Sequence, residues 1–435
     1  MKSFSILTLG CKVNSYESEA LINKLIDKGY ELRNFNEICD IYIVNSCTVT
    51  KTSDQKSRQM LHAARRKNNN AVIVVMGCYS QLNLKEASTI ADIVVGTNNK
   101  LDVVELIESY LTTKRQILKI TDVLNNPTYE EMKVNVFKTH TRAFIKVQDG
   151  CENYCSYCAI PYSRGKIRSR KPDNVIEEIK YLVNSGTKEV ILAGINTGTY
   201  GKDLGNINLA GLIMRIMKET KLYRLRLSSI ELMEITDELL NVLYKYKDRI
   251  ANHLHIPCQG GSDTVLKRMN RKYTLTEYEN RIKDIRKMFP DIALTTDILA
   301  GFVGETIDEF HETIEFIKRT KFYEMHVFPY SRRSNTVANS LPGHLEKSII
   351  TIRAKEISVL AESLKEEYIN NYIEKEVYVL AEAKKKNYWH GHTSNYLDVY
   401  FESDKELENK IVKVKIKSYD NKIILGEMEE VYEQF

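Results

Sequence analysis

The chain has 435 residues, of which 43% are apolar and 28% charged, with a single Trp and 7 Pro. This composition is typical of a globular protein of about two to four domains. No apolar run approaches the roughly 20 residues that a membrane-spanning helix needs, and the N-terminal apolar stretch is too short for a secretion signal. We therefore expect a cytoplasmic protein without membrane association.

Eight cysteines are too few for a disulfide scaffold in a chain of this length. Cytosolic thiols stay reduced, so clustered cysteines are expected to bind metal or to take part in catalysis. The net charge of +5 is unevenly distributed. Residues 56–67 contain five Lys/Arg and no acid, and residues 138–171 contain eight Lys/Arg against Asp149 and Glu152. Such blocks suit contacts with phosphate groups, although a solvated helix face explains the same charges.

Residues 1–113 alternate between strand and helix patterns. Four apolar runs indicate strands, namely SFSILTLG, DIYIVNS, AVIVVMG and ADIVVG, and amphipathic stretches lie between them. This alternation predicts a doubly wound α/β domain, with a parallel sheet covered by helices on both faces. Residues 114–136 break the pattern with an Asn-Asn-Pro turn and mixed charges, and predict a linker.

The alternation resumes over residues 137–370. Six strand candidates follow one another with helical patterns between them: AFIKVQ, KEVILAG, YRLRLSS, NHLHIPC, IALTTDIL and YEMHVFP. Six β/α units predict a partial (β/α)6 barrel, closed by a helix over residues 345–370. Residues 371–435 contain consecutive strand patterns without helices, which predict a small antiparallel β-barrel of the oligonucleotide-binding type.

Three cysteines lie directly after the first strand of the central region: Cys151, Cys155 and Cys158. Three thiolates this close together can hold three corners of a [4Fe–4S] cluster and leave one iron open. A zinc site would normally need a fourth ligand close by, and none follows. The alternative is three reduced thiols with coincidental spacing.

The C-x3-C-x2-C spacing, with Tyr157 before the last cysteine, resembles the signature of radical S-adenosylmethionine (SAM) enzymes. In that family the open iron binds the amino and carboxylate groups of SAM, and an electron from the cluster releases a 5′-deoxyadenosyl radical. Segments at later strand ends are similar to the SAM-binding segments of the family, although Gly-rich turns are common by themselves. The resemblance predicts these cofactor-binding residues: Tyr157, Gly194, Asn196, Ser229, Glu231, Gln259 and Asp297.

A second set of cysteines, Cys11, Cys47 and Cys78, is widely spaced, but each member directly follows a strand candidate. Because parallel strands place their carboxyl ends at one edge of a sheet, we expect the three to converge on a second cluster site. Unrelated buried thiols, or a cluster that only relays electrons, remain alternatives. Cys39 precedes its strand and Cys258 suits a buried apolar position, so neither is predicted to be a ligand.

The words LGCKVNSYESE, NSCTVT and MGCYSQ resemble the N-terminal domain of methylthiotransferases, and the C-terminal barrel is similar to the TRAM domain of that family. GCKVN together with NSCTVT resembles the branch that acts on N6-threonylcarbamoyladenosine (t6A) at position 37 of tRNA. The resemblance implies two [4Fe–4S] clusters and two SAM molecules. One SAM methylates a sulfur carried at Cys11, Cys47 and Cys78, and the other generates the radical that attacks C2. It also implies a reductant such as flavodoxin or ferredoxin.

A tRNA anticodon loop as partner predicts phosphate contacts by basic side chains. The candidates are Arg164, Lys166, Arg168 and Arg170 and the helix with Arg58, Arg65 and Arg66. The barrel would bind the body of the tRNA through Tyr388, Tyr396 and Lys413. Three alternatives remain open: methylthiolation of isopentenyladenosine in tRNA, methylthiolation of a ribosomal protein side chain, and a non-enzymatic RNA-binding protein that senses iron through its clusters.

Overall fold

The structure is a computed structural model and describes residues 2–125, 128–135, 137 and 141–432. The strands of the N-terminal region are β1 (Ser3–Thr8), β2 (Glu31–Leu32), β3 (Ile41–Ser46), β4 (Val72–Gly77), β5 (Ile93–Val95) and β6 (Ile117–Lys119). Its helices are α1 (Lys12–Asp27), α2 (Lys51–Lys67), α3 (Cys78–Leu82), α4 (Leu84–Ala87) and α5 (Val103–Thr113). All strand pairs are parallel, in the order β2-β1-β3-β4-β5-β6.

Both faces of this sheet are buried. Along β3, Ile41 and Ile43 join the apolar cluster under α1 and α5, whereas Tyr42 and Val44 join a second cluster under α2. The doubly wound α/β prediction is therefore confirmed for this region. The predicted linker 114–136 needs a correction, because its residues 117–119 form β6 at the edge of the sheet. The Asn-Asn-Pro turn at 125–127 lies partly outside the described residues.

The central region contains the six predicted strands: β7 (Ala143–Lys146), β10 (Glu189–Ala193), β11 (Arg224–Leu227), β12 (His253–His255), β13 (Ala293–Ala300) and β14 (Glu324–Pro329). A small antiparallel pair, β8 (Gln148–Asp149) and β9 (Arg168–Ser169), follows β7. The helices are α6 (Ile160–Arg164), α7 (Pro172–Asn184), α8 (Leu209–Glu219), α9 (Asp237–Lys245), α10 (Asp263–Arg268), α11 (Leu275–Met288), α12 (Ile307–Thr320) and α13 (Lys347–Asn370).

These six strands form two parallel sheets, β11-β10-β7 and β12-β13-β14, joined by a parallel bridge between Leu225 and Ile250. The result is an open barrel whose strand ends share one rim, as a partial (β/α)6 barrel requires. Within the part of the chain that the structure describes, no helix combines the length and apolar character needed to cross a bilayer.

The C-terminal strands are β15 (Glu376–Lys385), β16 (Tyr388–Thr393), β17 (Asp398–Glu402), β18 (Ile411–Asp420) and β19 (Ile423–Val431). They close into a barrel in the order β15-β16-β17-β19-β18. The prediction of a purely antiparallel barrel is wrong at one place, because β17 and β19 pair in parallel. Five strands in a closed ring cannot alternate direction at every contact, so one parallel pair is unavoidable.

Buried charges join this barrel to the central region. Glu189 of β10 forms ion pairs with Arg142, Arg224 and Arg226. Arg226 also donates to the carbonyl oxygen of Thr393 at 2.9 Å. Tyr396 lies under the Arg226 guanidinium, 4.6 Å from ring centroid to Cζ, and stacks on His253. Tyr396 is thus an interface residue, which argues against its predicted contact with RNA.

Candidate functional site

The loop between β8 and α6 carries the first cysteine set. Gly150 enters this loop with φ +77°, and a Cβ there would lie 1.9 Å from the carbonyl oxygen of Lys166, so only glycine allows the close approach. Cys158 donates its backbone N–H to the carbonyl oxygen of Cys155 at 2.9 Å. Cys151, Cys155 and Cys158 all line one cavity of about 300 Å³.

Six of the seven predicted SAM-binding residues line the same cavity: Tyr157, Asn196, Ser229, Glu231, Gln259 and Asp297. They meet there because most of them follow the carboxyl ends of successive parallel strands, which share one rim of the barrel. Gly194 does not line the cavity. A Cβ at Gly194 would lie 2.9 Å from Gln148 Oε1 and 3.0 Å from Thr197 Oγ1, so this glycine permits close packing of the turn after β10.

Asn196 is placed for an external partner. Its backbone N–H donates to Gln148 Oε1 at 2.9 Å, and the residue is only 3% exposed. Neither Nδ2 nor Oδ1 of its side chain has a hydrogen-bond partner among the described residues. An unsatisfied buried amide costs about 1–3 kcal/mol, so its orientation toward the cavity indicates a ligand that completes these bonds.

Sequence reasoning missed Arg271, which also lines the cavity. Its Nη1 donates to Glu231 Oε1 at 3.1 Å and to Cys155 Sγ at 3.3 Å. The guanidinium thus holds a positive charge against a predicted cluster ligand while it orients a predicted SAM contact. No local pattern marks Arg271, because its partners come from distant segments of the chain.

The thiols of the site suit metal binding better than nucleophilic catalysis. Burial raises the pKa of Cys47 and Cys151 to about 11 and that of Cys158 to about 12. A nucleophilic cysteine needs a lowered pKa, whereas a metal ion displaces the thiol proton when it binds. Cys39 and Cys258, predicted to be structural, are both buried.

The second cysteine set meets at the carboxyl edge of the N-terminal sheet. Cys11 precedes α1, Cys47 follows β3 and Cys78 begins α3. Gly10 has φ +100°, and a Cβ there would lie 2.8 Å from Cys47 Sγ, so this glycine lets the first two loops touch. Asn14 ties the same loops together by donating to the carbonyl oxygens of Leu9 and Ser46.

Arg164 of α6 reaches from the central region into this second site. It is fully buried, and its Nε donates to Cys78 Sγ at 3.2 Å. Its Nη1 forms an ion pair with Glu17 Oε1 at 2.8 Å, and its Nη2 donates to Asn14 Oδ1 at 2.6 Å. An arginine N–H aimed at a cysteine sulfur stabilises thiolate character, which is what a cluster ligand requires.

A buried ionic network surrounds this arginine. Glu17 also pairs with Lys100 and Lys146, and Asp149 pairs with Lys146, Arg164 and Arg168. Burial alone would raise the pKa of Glu17, but its cationic neighbours outweigh burial and hold that pKa well below its usual range. Four cations therefore pair with these two carboxylates, and the carboxyl of Glu130 lies in the same network.

The cavity of the first cysteine set reaches the loop that follows Cys47 of the second set. Val49 and Thr50, just after Cys47, line the cavity that holds the first set. Arg333, which follows β14, lines it too and donates to Thr48 Oγ1 at 2.8 Å while pairing with Asp54 at 3.1 Å. The N-terminal region thus forms one wall of the cavity, and this wall begins two residues after Cys47 of the second set.

The predicted RNA contacts need correction. Arg164, Arg168 and Arg170 are buried, and each forms an ion pair with a buried carboxylate, so none can meet a phosphate. Lys166 remains exposed between them. Over its described residues, 141–171, this charge block is therefore largely structural.

The other predicted RNA contacts are divided between side chains in ion pairs and exposed side chains. Arg58 pairs with Glu86, and Arg65 pairs with Asp92. In the C-terminal barrel, Lys413 pairs with Glu376 and Glu429. The exposed candidates are Arg66 and Tyr388.

Comparison with known proteins agrees with this architecture. The model of the Radical SAM superfamily matches residues 145–317, and that of the uncharacterized protein family UPF0004 matches residues 3–96. The threonylcarbamoyladenosine tRNA methylthiotransferase of Bacillus subtilis is 42% identical over 424 residues, 96% of this chain and 94% of the relative. The chain belongs to the radical SAM methylthiotransferase family.

A relative with a different substrate in its name is also similar. The tRNA-2-methylthio-N(6)-dimethylallyladenosine synthase of Moorella thermoacetica is 32% identical over 440 residues and covers 98% of both chains. Among solved structures, the radical SAM methyltransferase TsrM from Kitasatospora setae aligns with a TM-score of 0.56 at 13% identity, covering 78% of this chain and 75% of that chain. At that identity the likeness is one of fold.

Proposed function

We propose that this methylthiotransferase replaces the C2 hydrogen of t6A at position 37 of tRNA with a methylthio group, giving 2-methylthio-t6A. The observation that carries the proposal is one cavity lined by Cys151, Cys155 and Cys158 and, from the N-terminal region, by Val49 and Thr50 just after Cys47. The t6A branch is favoured because the chain is 42% identical to a threonylcarbamoyladenosine enzyme and 32% identical to a dimethylallyladenosine enzyme, over nearly the full length in each comparison.

The chemistry needs a radical, because C2 of adenine carries an unactivated C–H bond that acid–base groups cannot exploit. Cys151, Cys155 and Cys158 would hold one [4Fe–4S] cluster, and Cys11, Cys47 and Cys78 would hold the other. When bound, the first cluster supplies the electron that cleaves SAM and the second carries the sulfur to be transferred. The protein's own contribution is to orient the reactants and to keep water away from the radical.

Polar groups along the cavity would orient SAM. The free amide of Asn196 and the hydroxyl of Ser229 offer hydrogen bonds to its amino acid and ribose parts. Glu231, held in place by Arg271, is suited to an ammonium or ribose hydroxyl. Tyr157 and Gln259 complete the wall.

The substrate base would have to leave the base stack of the anticodon loop to enter the cavity. Exposed groups that could meet the RNA backbone are Lys166 and Arg66, with Tyr388 on the C-terminal barrel, which would act as the TRAM domain. We place the protein in the cytoplasm, with a flavodoxin or ferredoxin as reductant. The proposed functional divisions are residues 1–113, 137–370 and 371–435, with 114–136 between the first two.

The test is anaerobic turnover of cluster-loaded enzyme with SAM and reductant, followed by mass spectrometry of nucleosides. Matched tRNAs carry t6A, isopentenyladenosine or unmodified adenosine at position 37. We expect the methylthio product only with t6A and none with Cys155→Ala. Product on isopentenyladenosine, or loss of the mark from a ribosomal protein in a deletion strain, would overturn the substrate. Absence of 5′-deoxyadenosine would favour a cluster-sensing protein.

A further inference from the structure

Two histidines and one aspartate meet on three neighbouring parallel strands of the open barrel, and the third member, His326, is exposed. Asp297 of β13 lies opposite His326 of β14 in the strand register, and His255 of β12 lies opposite Thr295. Thr295 and Asp297 are two residues apart and share one face of the sheet. One ligand atom from each of His255, Asp297 and His326 lies within 4.8 Å of the others.

A hydrogen bond on one ring nitrogen fixes the orientation of the His255 side chain. Its Nδ1 is hydrogen-bonded to Thr295 Oγ1 at 2.9 Å, and the same hydroxyl is 3.1 Å from His253 Nε2. This arrangement leaves Nε2 of His255 pointing at Asp297 Oδ2, 3.4 Å away. Metal-binding histidines are usually anchored through their other ring nitrogen in this way.

The remaining two side chains have little else to bind. Among the described residues, Asp297 pairs with no Lys or Arg, and the His326 ring contacts the His255 ring at 5.7 Å without any hydrogen bond. Asp297 lines the cavity beside the first cysteine set. A carboxylate there without a cationic partner suits a bound cation better than it suits structural packing.

We propose that His255, Asp297 and His326 bind a divalent transition metal ion of the Zn²⁺, Fe²⁺ or Mn²⁺ class. Two imidazoles with one carboxylate favour such ions over Mg²⁺ or Ca²⁺, which prefer oxygen ligands. The three donor atoms lie within 4.8 Å of one another, and the side chain of His326 is exposed. Three protein ligands leave further coordination positions open, and Asp297, one of the three, also lines the cavity.

The open positions suggest what the ion holds. If the proposed function is right, the substrate brings a threonylcarbamoyl group, whose carboxylate is an anionic oxygen ligand of the kind that such an ion binds. The metal site would then recognise the threonylcarbamoyl group of t6A, which a neutral isopentenyl group cannot replace. On this proposal Asp297, which the sequence predicts as a SAM contact, would bind the metal ion instead.

The binding test uses cluster-loaded enzyme with its clusters in the oxidised state, titrated with Mn²⁺. The signal of free Mn²⁺ in electron paramagnetic resonance reports how much is bound. We expect one Mn²⁺ per chain, displaced by Zn²⁺, and binding at least about tenfold weaker in His326→Ala and Asp297→Asn. His311→Ala, which removes an exposed histidine of α12, should bind like wild type.

Iron content and visible absorption equal to wild type establish that the variants retain their clusters. Failure of wild type to bind Mn²⁺ or Zn²⁺, or equal binding by wild type, His326→Ala and Asp297→Asn, would overturn the metal site. This result does not depend on turnover, so it is separate from the fate of the proposed function.

Substrate recognition is tested by repeating the titration with a synthetic anticodon stem-loop. Binding of metal and of its ligand is reciprocal, so a stem-loop with t6A should tighten Mn²⁺ binding several-fold, whereas the same stem-loop with unmodified adenosine should not. Equal Mn²⁺ affinity with both stem-loops would overturn the assignment of the threonylcarbamoyl group as the ligand.

Discussion

Replacing Arg164 with glutamine tests whether this arginine is a structural group or an RNA contact. The substitution removes an ion pair to Glu17, another to Asp149, and the hydrogen bond to Cys78. If Arg164 contacts RNA, the variant should bind tRNA more weakly and fold as stably as wild type. If Arg164 is a buried structural group, the variant should be less stable, because two buried carboxylates lose a cation that no water can replace.

The expected loss of stability depends on which cations Glu17 and Asp149 keep in the variant. Breaking a buried ion pair costs about 3–5 kcal/mol. Glu17 keeps Lys100 and Lys146, and Asp149 keeps Lys146 and Arg168, so the loss should lie near the lower limit, about 3 kcal/mol. At about 2–4 °C per kcal/mol for a region of this size, the unfolding midpoint should fall by about 6–12 °C.

Differential scanning calorimetry measures this shift, and Lys166→Gln is the matched control. Lys166 is two residues away, exposed, and outside every ion pair among the described residues. Its replacement should change stability by less than about 0.5 kcal/mol. If Arg164→Gln unfolds at the same temperature as Lys166→Gln while binding tRNA more weakly, the burial argument is wrong.

Three further outcomes are expected. Arg271→Met should weaken SAM binding by roughly tenfold or more, because Glu231 loses its charged partner; an unchanged Kd in equilibrium dialysis would contradict this. Burial would raise the pKa of Glu189, but Arg224 and Arg226 outweigh burial and lower it, so the stability that Glu189 adds is complete above its usual pKa of 4.5 and is lost as pH falls below it. Unfolding of wild type and Glu189→Gln can be followed by the fluorescence of Trp389, the single Trp. The difference between their free energies of unfolding should shrink by about 1.4 kcal/mol for each pH unit below 4.5. A difference that does not change with pH would contradict the predicted role of Glu189. Lys166→Gln should lower the slope of log tRNA affinity against log salt by about one, and an unchanged slope would remove Lys166 from the interface.

Much of the fold could be predicted because apolar runs mark strands whatever surrounds them. The convergence of Cys11, Cys47 and Cys78 followed from topology, since parallel strands share one carboxyl edge. The strand Ile117–Lys119 was missed because it is short and only partly buried, so that its pattern resembles a linker.

The roles of several charged residues were predicted wrongly from the sequence. A guanidinium that meets phosphate and one that meets a buried carboxylate look the same in a sequence. Arg164 pairs with Glu17, 147 residues away, and Arg271 pairs with Glu231, 40 residues away. Partners so distant in sequence are brought together only by tertiary folding, within the central region for Arg271 and between two regions for Arg164. The same reason hid the cluster of His255, Asp297 and His326, whose members lie on separate strands.

Iron determination after anaerobic reconstitution with iron and sulfide tests most directly whether two clusters share this chain. Wild type should hold about eight irons per chain, and Cys47→Ala about four, with SAM cleavage retained. Cys39→Ala, which removes a buried thiol outside both sets, should match wild type. About four irons in wild type, or an unchanged count in Cys47→Ala, would contradict the account.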